Sequence, residues 1–424
     1  MRVLFAVSSW SGHYYPMVPL AWALRVAGHE VRVLCAPSEV DRVTGAGLTP
    51  VPLLADTDLT RHARALNLLE ERAGHWPYRE PPPHPELDGP VEPGTFDLDA
   101  WWAGAVRAER ERLLRGVDAA QGYALRWQPD LVVHDVVCYE GPLAAEAAGV
   151  PNVLHLWGPT GAEGTFGVLR GNGGAEQFTA AVAEQALVAA AGAEQADRIL
   201  TRAGHVLDPC PDPVREHTTV RRLPIRYLPY NGSGAEPVLP PRSDRPRICV
   251  TWGRSGTRCF GPQTSKLPQV VAGAADLGAE VLLLAPRADV EACGTLPESV
   301  RPMVEVPLHL VLPDCDAVVH YGSGGSTMTS VVAGVPQLAI PFTPAGVFLA
   351  DRFAAVGCAR TLPNYETDAA GVRAALGGLV HEPSYARAAR DLAADAAAMP
   401  APAEVVGTLE RIATAPELVA RRAG

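Results

Sequence analysis

Two histidines stand at the ends of apolar, strand-like segments, where they could do chemistry. His13 follows the run at residues 2–7, and His320 follows residues 317–319. An imidazole with its ordinary pKa of about 6.5 can take a proton from a hydroxyl near neutral pH. His13 lies between Gly12 and Pro16, and proline suits the first turn of a helix. We therefore treat His13 as a candidate general base, with a helix-start histidine that does no chemistry as an equally good interpretation.

The second histidine opens a glycine-rich turn, HYGSGGSTMTSVVAGVP, at residues 320–336. Glycines let a backbone approach an anion closely, and the first N–H groups of the following helix can donate to it. The segment therefore predicts a diphosphate site, although a turn without a ligand competes with it and the spacing G-x-G-x-x-G is broken at Thr327. The candidate donor-binding residues of the turn are His320, Gly322, Ser323, Gly324, Gly325 and Ser326.

Two further polar positions follow predicted strands. Asp135 ends the strand at 130–134, where its carboxylate could orient His13 or cap the next turn, and capping is the commoner role. Arg254 and Ser255 follow the strand at 247–252 and are candidate phosphate donors, with an ordinary polar turn as the alternative. Histidines and acids are not clustered at ligand spacings, so we expect neither a metal nor a cofactor.

The elements that position these residues form two α/β units. A strand at 2–7, a helix from Pro16 to Ala27 and a strand at 30–35 make a βαβ unit, which predicts a parallel sheet with further strands at 130–134 and 152–156. Residues 228–246 are dense in proline, glycine and serine and predict a linker. Strands at 247–252, 280–285, 317–319 and 337–340 then restart the pattern. The fold class is therefore α/β, with two facing doubly wound, Rossmann-like domains.

The ligands of such sheets bind at the carboxyl ends of the strands, so two facing domains predict a cleft for two substrates. We place the N-terminal domain at 1–227, the linker at 228–246 and the C-terminal domain at 247–402. The last segment, 403–424, is expected to be a helix that packs back on the N-terminal domain. A helical stretch is expected near 174–202. The proline-rich loop at 75–95 is too long for an ordinary connection and is expected to be functional or disordered. Trp76 and Trp101 are candidates for the lining of an apolar cavity, although aromatic residues at helical spacing are more often core.

Composition narrows the class of protein. The chain has 424 residues, 47% of them hydrophobic, a net charge of −11 and one lysine, Lys266. An acidic chain without basic runs argues against nucleic acid as a partner. No apolar run reaches membrane-spanning length, and residues 1–10 are too short and broken for a signal peptide. The eight cysteines form no CxxC pair, which indicates buried thiols in a reducing cytoplasm.

Several segments, in order, resemble the glycosyltransferases of actinobacterial natural-product pathways, of the macrolide and polyketide type, which have the GT-B fold. The residues Ser11, Gly12, His13 and Pro16, with Pro19-Leu20-Ala21, resemble the N-terminal signature of that family. Further similar segments are GHEV at 28–31, LWGP at 156–159, RYLPYNG at 226–232 and the donor motif at 320–337. The resemblance implies that the N-terminal domain at 1–227 binds the acceptor, in a pocket shaped by the loop at 75–95. The candidate acceptor contacts are Trp76, Trp101 and Trp157, which lies within LWGP.

The resemblance implies a metal-independent, inverting transfer of a hexose from a UDP- or TDP-sugar to a hydroxyl of an apolar, polyketide-like aglycone. In the family, the residue matching His13 removes the acceptor proton and the turn from His320 to Ser326 holds the diphosphate. Val306 and Pro307 fall where family members bind the base. These two substrates are the partners that the resemblance implies, and a homodimer is left open.

The sequence departs from the family after the strand at 337–340. An acidic residue followed by glutamine usually grips the sugar hydroxyls there, whereas this chain has Ala345 and Gly346. We hypothesise a deoxy- or aminodeoxyhexose that lies against Phe342.

Two other functions are open at this point. One is a nucleotide-sugar epimerase of the same architecture. The other is a non-catalytic, glycosyltransferase-like partner protein, which the missing acidic residue and glutamine favour and the intact Gly12-His13 and HYGSGG segments oppose. A nucleotide-dependent oxidoreductase is a weaker fit, because the glycine spacing is imperfect.

Overall fold

A computed structural model describes residues 1–92, 94–159, 205–215 and 222–415. The chain forms two sheets, one of seven strands and one of six, and every strand pairing within them is parallel. The predicted fold class, two doubly wound α/β domains, is confirmed.

The N-terminal domain contains the larger sheet. Its strands are β1 (Arg2–Ala6), β2 (Glu30–Cys35), β3 (Pro50–Pro52), β4 (Leu131–His134), β5 (Asn152–His155), β6 (Val206–Asp208) and β7 (Arg222–Pro224). Its helices are α1 (Ser11–Tyr14), α2 (Val18–Val26), α3 (Val40–Gly45), α4 (Leu59–Arg72), α5 (Leu98–Trp127) and α6 (Glu140–Ala148). The strand order is β3-β2-β1-β4-β5-β6-β7. The central strands β1 and β4 are almost wholly apolar and buried, as a parallel sheet with two covered faces requires.

The C-terminal domain repeats this plan. Its strands are β8 (Arg247–Thr251), β9 (Glu280–Leu284), β10 (Val300–Met303), β11 (Ala317–His320), β12 (Gln337–Ala339) and β13 (Ala359–Thr361). Its helices are α7 (Arg254–Phe260), α8 (Leu267–Asp276), α9 (Arg287–Ala292), α10 (Gly324–Ala333), α11 (Pro344–Ala355), α12 (Ala369–His381), α13 (Pro383–Ala398) and α14 (Pro402–Ala413). The order β10-β9-β8-β11-β12-β13 puts β8 and β11 side by side, so the loops after them are neighbours.

The structure differs from the sequence prediction in short elements. The loop expected before Pro16 contains α1, which is followed by a 3-10 turn at Tyr15–Met17. The strands β3 and β10 carry prolines and lie at sheet edges, where a missing N–H breaks no ladder. The helical stretch expected at 174–202 falls outside the described residues.

The last helix, α14, returns to the N-terminal domain. Its residues Val405, Leu409 and Ile412 are buried in the same core as Leu20 and Leu24 of α2. The backbone N–H of Arg226, just before the linker, donates to the carbonyl of Pro400 at 2.7 Å. The path from α13 to α14 therefore crosses beside the linker, and both connections join the domains at one place.

No helix in the described part of the chain is long and apolar enough to cross a membrane.

Candidate active site

A cavity of about 470 Å³ lies between the two domains. The loops after β1, β5, β8, β11 and β12 contribute to its wall, which is the carboxyl edge of both sheets. The predicted site residues that line it are His13, Trp157, Ser255, Val306, Gly322, Ser323, Gly324, Gly325, Ser326, Phe342 and Gly346. Two sets of residues that lie about 300 positions apart in the sequence thus face one space.

His13 reaches the cavity from α1. Its ring stacks on Trp157, with 4.1 Å between ring centroids and 17° between planes. Its Nδ1 lies 3.2 Å from the hydroxyl oxygen of Ser8. Burial lowers the pKa of His13 to about 3. The imidazole is therefore neutral near pH 7, and if Nδ1–H donates to Ser8, Nε2 keeps a lone pair for a proton from a substrate.

Asp135 is fully buried at the end of β4 and does not bond His13 directly. One carboxylate oxygen accepts from the N–H of Ser8 at 2.7 Å, and the other accepts from the N–H groups of Val137 and Cys138 at 2.9 and 3.0 Å. Burial raises the pKa of Asp135 to about 6, although its hydrogen bonds act in the opposite direction. Ser8 is thus the link between Asp135 and His13, and sequence reasoning missed it.

The glycine-rich turn is held for the approach of an anion. Gly322 has a φ of +87°, which a residue with a Cβ adopts at a cost. The hydroxyl of Ser323 accepts from the N–H of Ser326 at 3.3 Å and so caps α10. Gly324 and Gly325 begin this helix of ten residues at the cavity wall. The positive end of the helix therefore points at the space where a leaving phosphate would gain charge.

His320 lies beneath this turn rather than in its wall. It is 1% exposed. Its Nε2 donates to the side-chain oxygen of Gln337 at 2.8 Å, and its Nδ1 accepts from the N–H of Gly322 at 3.0 Å. Burial lowers its pKa to about 4, so the ring is neutral. Because both nitrogens are engaged, the structure does not support direct donation to an anion, and His320 instead fixes the conformation of the turn.

The loop after β8 meets the turn through a pair of hydroxyls. The side-chain oxygens of Ser255 and Tyr321 lie 2.6 Å apart, and both residues line the cavity. Gly253 makes room for this pair, since a Cβ there would lie 2.6 Å from the Tyr321 hydroxyl. Arg254 begins α7, and its side chain falls outside the described part. Tyr321 was not identified from the sequence, because it lies between His320 and Gly322, where the motif specifies no residue.

Some of the residues predicted to contact the nucleobase and the sugar line the cavity, and others do not. Val306 lines the cavity, whereas Pro307 packs against Gly234 of the linker, where a Cβ would lie 2.4 Å from its Cδ. Phe342 and Gly346 line the cavity and Ala345 does not. The backbone of Gly346 sits tightly, because a Cβ on it would come within 2.8 Å of the Cβ of Pro341.

Two of the three predicted acceptor contacts lie away from the cavity lining. Trp76 stacks on Phe260 at 6.2 Å and 12°, and its indole N–H donates to the carbonyl of Glu80 at 2.7 Å. Trp101 donates to the carboxylate of Glu86 at 3.0 Å, with the guanidinium of Arg61 5.1 Å above its ring. Both tryptophans support the proline-rich loop, and Trp157 alone of the three faces the cavity.

Within the described ranges, no group of three or more histidine, cysteine, aspartate or glutamate side chains is arranged to hold a metal ion. The site therefore offers one neutral imidazole, a helix N-terminus and several hydroxyls around an otherwise aromatic cavity.

Comparison with known proteins agrees with this arrangement. Sequence profiles described as erythromycin biosynthesis protein CIII-like match residues 268–412 with the C-terminal domain and residues 22–81 and 103–253 with the N-terminal domain. The chain is 32% identical to a 10-deoxymethynolide desosaminyltransferase of Streptomyces venezuelae over 425 residues, 97% of either chain. It is 31% identical to a tylactone mycaminosyltransferase of Streptomyces fradiae over 426 residues, 97% of this chain and 92% of the relative.

A solved structure shows the same fold. The glycosyltransferase VinC in complex with dTDP superposes with a TM-score of 0.72 and 29% identity, over 97% of this chain and 99% of that one. The GT-B architecture expected from the sequence is thus confirmed. With both domains matched and relatives above 30% identity along almost the whole length, the chain belongs to the erythromycin biosynthesis protein CIII-like family and is a glycosyltransferase.

Proposed function

We propose that the protein transfers a deoxy- or aminodeoxyhexose, with inversion, from a TDP-sugar to a hydroxyl of a polyketide-like natural product. The observation that carries this proposal is the shared cavity, which sets the neutral imidazole of His13 from one domain against the N-terminus of α10 from the other. Named relatives transfer desosamine and mycaminose to macrolactones, and VinC binds dTDP.

The chemistry follows from these two ends of the cavity. Nε2 of His13 takes the proton of the acceptor hydroxyl, and the acceptor oxygen attacks the anomeric carbon from the face opposite the diphosphate. The bond from that carbon to the diphosphate oxygen breaks, and TDP leaves with the electron pair. The N–H groups at the start of α10 and the nearby hydroxyls stabilise the charge that grows on the leaving oxygen. Inversion results because the displacement is direct.

Ser8 holds the base in the tautomer that the reaction needs. Asp135 accepts from the N–H of Ser8 and so holds this residue beside His13, where the hydroxyl oxygen of Ser8 can accept from Nδ1–H of His13. Removing this hydroxyl in Ser8→Ala should lower kcat about tenfold, the scale of one buried hydrogen bond, and leave the KM for the donor unchanged. The matched variant Ser8→Thr keeps a hydroxyl and should retain most of the rate. An equal loss in both variants would remove Ser8 from the relay.

The sugar end of the cavity supports a donor with few hydroxyls. Its wall is formed by the ring of Phe342, the stacked ring of Phe260 at 4.9 Å and the backbone of Gly346. No side chain longer than hydrogen fits at Gly346 without displacing Pro341. A hexose with methyl or methylene groups in place of hydroxyls loses less hydration against this wall than glucose does.

A direct assay separates the candidate functions. Purified protein is incubated with TDP-6-deoxyhexoses or UDP-glucose, with and without macrolactone aglycones, and TDP and glycoside are quantified. Acceptor-dependent TDP release, with inverted anomeric configuration by NMR, is the expected result. Epimerised donor without acceptor, or tight nucleotide binding without turnover, would contradict the proposed transfer. A clear preference for UDP-glucose would overturn the proposed donor class.

We also propose that the reaction takes place in the cytoplasm and needs neither a metal nor a cofactor, nucleic acid or membrane. The support is the set of neutral donors at the start of α10, which can meet the phosphate charge themselves. Turnover should then be unchanged by EDTA.

The oligomeric state can be measured by light scattering at the assay concentration. We propose that each protomer holds a complete site, because both walls of the cavity come from one chain.

A further inference from the structure

The proline-rich loop after α4, predicted to shape an acceptor pocket, reaches across to the C-terminal domain. In α4 itself, the side-chain amide of Asn67 donates to the carbonyl of Cys259 at 2.8 Å, and Nε of Arg64 donates to the carbonyl of Arg258 at 2.7 Å. These carbonyls lie in the last turn of α7, where a helix leaves its acceptors without internal partners. The N-terminal domain therefore caps a helix whose other residues line the donor side of the cavity.

Tyr78 continues this contact to the sugar end of the site. It is 9% exposed, and its hydroxyl donates to the backbone carbonyl of Phe342 at 2.9 Å and lies 3.2 Å from the side-chain oxygen of Asn364. Its ring packs edge-on against Tyr365, with centroids 6.0 Å apart, and lies 4.8 Å from the ring of Trp76. A buried phenol that bonds a main-chain oxygen at this distance fixes the place of that peptide.

Phe342 is also restrained from α7. Its ring stacks on Phe260 at 4.9 Å and 15°, and Trp76 stacks on the far side of this pair at 12° to Phe260. Gly256 leaves the space for the ring, because a Cβ there would lie 2.6 Å from Cε2 of Phe342. The main chain of Phe342 is thus held by Tyr78 and its side chain by α7, and α7 is itself capped from the other domain.

We propose that Tyr78 is a positioning residue for the donor sugar, acting through Phe342, so that the acceptor-binding domain builds the sugar subsite of the other domain. This inference rests on the proposed function. The start of α10, which would hold the diphosphate, is formed by β11, the turn and Gln337 within the C-terminal domain. Affinity for the nucleoside diphosphate is therefore independent of Tyr78, whereas the contribution of the sugar depends on it.

The test compares two ligands in one variant. Calorimetry gives the Kd of TDP and of TDP-6-deoxyglucose for the wild type, Tyr78→Phe and the control Tyr365→Phe, whose ring touches Tyr78 but whose hydroxyl makes no hydrogen bond to Phe342. In Tyr78→Phe, TDP should bind within twofold of the wild type and TDP-6-deoxyglucose three- to tenfold more weakly, the scale of one buried hydrogen bond. Tyr365→Phe should change neither value by more than twofold.

A second variant separates positioning from domain closure. Asn67→Leu removes a bond to α7 but leaves the bond from Tyr78 to Phe342 in place. Because α7 carries both Ser255, beside the turn, and Phe260, beside Phe342, this variant should weaken both ligands. If Tyr78→Phe also weakened both ligands equally, or changed neither, the proposal would be overturned. The proposed function has a separate readout: wild-type protein that binds TDP-6-deoxyglucose more tightly than TDP but glycosylates none of the aglycones would refute the transfer and leave the role of Tyr78 intact.

Discussion

His13 lies in α1, which follows β1, and His320 is the last residue of β11, so both stand at the carboxyl end of a central strand, and the two histidines differ in their contacts. His13 bonds the hydroxyl of Ser8, stacks its ring on Trp157 and lines the cavity. His320 bonds Gln337 and the N–H of Gly322 and is almost fully buried. Burial keeps both rings neutral, with the pKa of His13 lowered to about 3 and that of His320 to about 4.

The difference shows that strand position and residue type do not settle a role. The proposed base needs one nitrogen unoccupied, and α1 places His13 in the wall of the cavity with a hydrogen bond at Nδ1. An anion cradle needs backbone N–H groups in a fixed arrangement, and a neutral imidazole under the turn provides that by accepting from Gly322. Substitution can distinguish the two proposed roles, which are proton transfer at His13 and support of the glycine-rich turn at His320.

The largest effect is expected at His13. His13→Ala removes the proton acceptor, so kcat should fall by a factor of about 10²–10⁴, the usual contribution of general-base catalysis. The affinity for TDP should be unchanged, because the ring does not hold the diphosphate. Single-turnover rates and TDP titration measure the two quantities. If His13→Ala also lost TDP binding, His13 would belong to the donor site, and the two histidines would no longer differ in role.

A smaller effect is expected where the two loops touch. A Cβ on Gly324 would lie 3.0 Å from Cδ1 of Trp157, the ring that stacks on His13. Gly324→Ala should therefore shift the base relative to the cradle and lower kcat/KM by about tenfold to a hundredfold. At Gly325 the nearest atom to a Cβ is the Tyr227 hydroxyl at 3.9 Å, an ordinary contact. Gly325→Ala should cost several times less, and equal losses would show that Trp157 does not couple the two loops.

The sequence was sufficient for the parts of this site that depend on local order. The apolar runs that became β1, β4, β8 and β11 and the glycine-rich turn before α10 all follow from neighbours in the chain. The direction of a parallel strand then fixes which edge the following loops occupy, so His13 and the turn were expected to face a cleft.

The remaining contacts depend on tertiary distances that a single sequence does not encode. Ser8 reads as a loop serine until β4 brings Asp135 beside it. Tyr78 reads as part of a proline-rich loop until the other domain presents the carbonyl of Phe342. Gln337, which marks the exit of the motif, explains in retrospect why His320 is not free. Each of these residues lies next to a recognised segment, and polar residues that directly flank such segments are the signal to follow.

The architectural role of His320 can be divided between its two nitrogens. His320→Asn places an amide oxygen near the position of Nδ1, where it can accept from Gly322, and His320→Gln places a donor nearer to Gln337. If the turn is what binds the diphosphate, the asparagine variant should bind TDP within about threefold of the wild type and the glutamine variant about tenfold more weakly. Calorimetry with TDP measures both. Equal weakening would indicate that the ring itself, rather than the turn that it holds, contacts the anion.

The smallest effect is expected from pH, because neither histidine titrates in the working range. A base acts when deprotonated, and with a pKa lowered to about 3 His13 remains deprotonated at pH 6–8. Asp135 differs, since burial raises its pKa to about 6.

The carboxylate of Asp135 is charged above that value and takes up a proton as the pH falls, which weakens the hydrogen bond that it accepts from Ser8. The rate should thus be constant from pH 7 to 8 and fall about twofold near pH 6, where half of the carboxyl is protonated. In Asp135→Asn the rate should be lower but independent of pH over this range. If the rate of Asp135→Asn still fell near pH 6.5, the titrating group would be His13. The two histidines would then differ in ionisation as well as in hydrogen bonding.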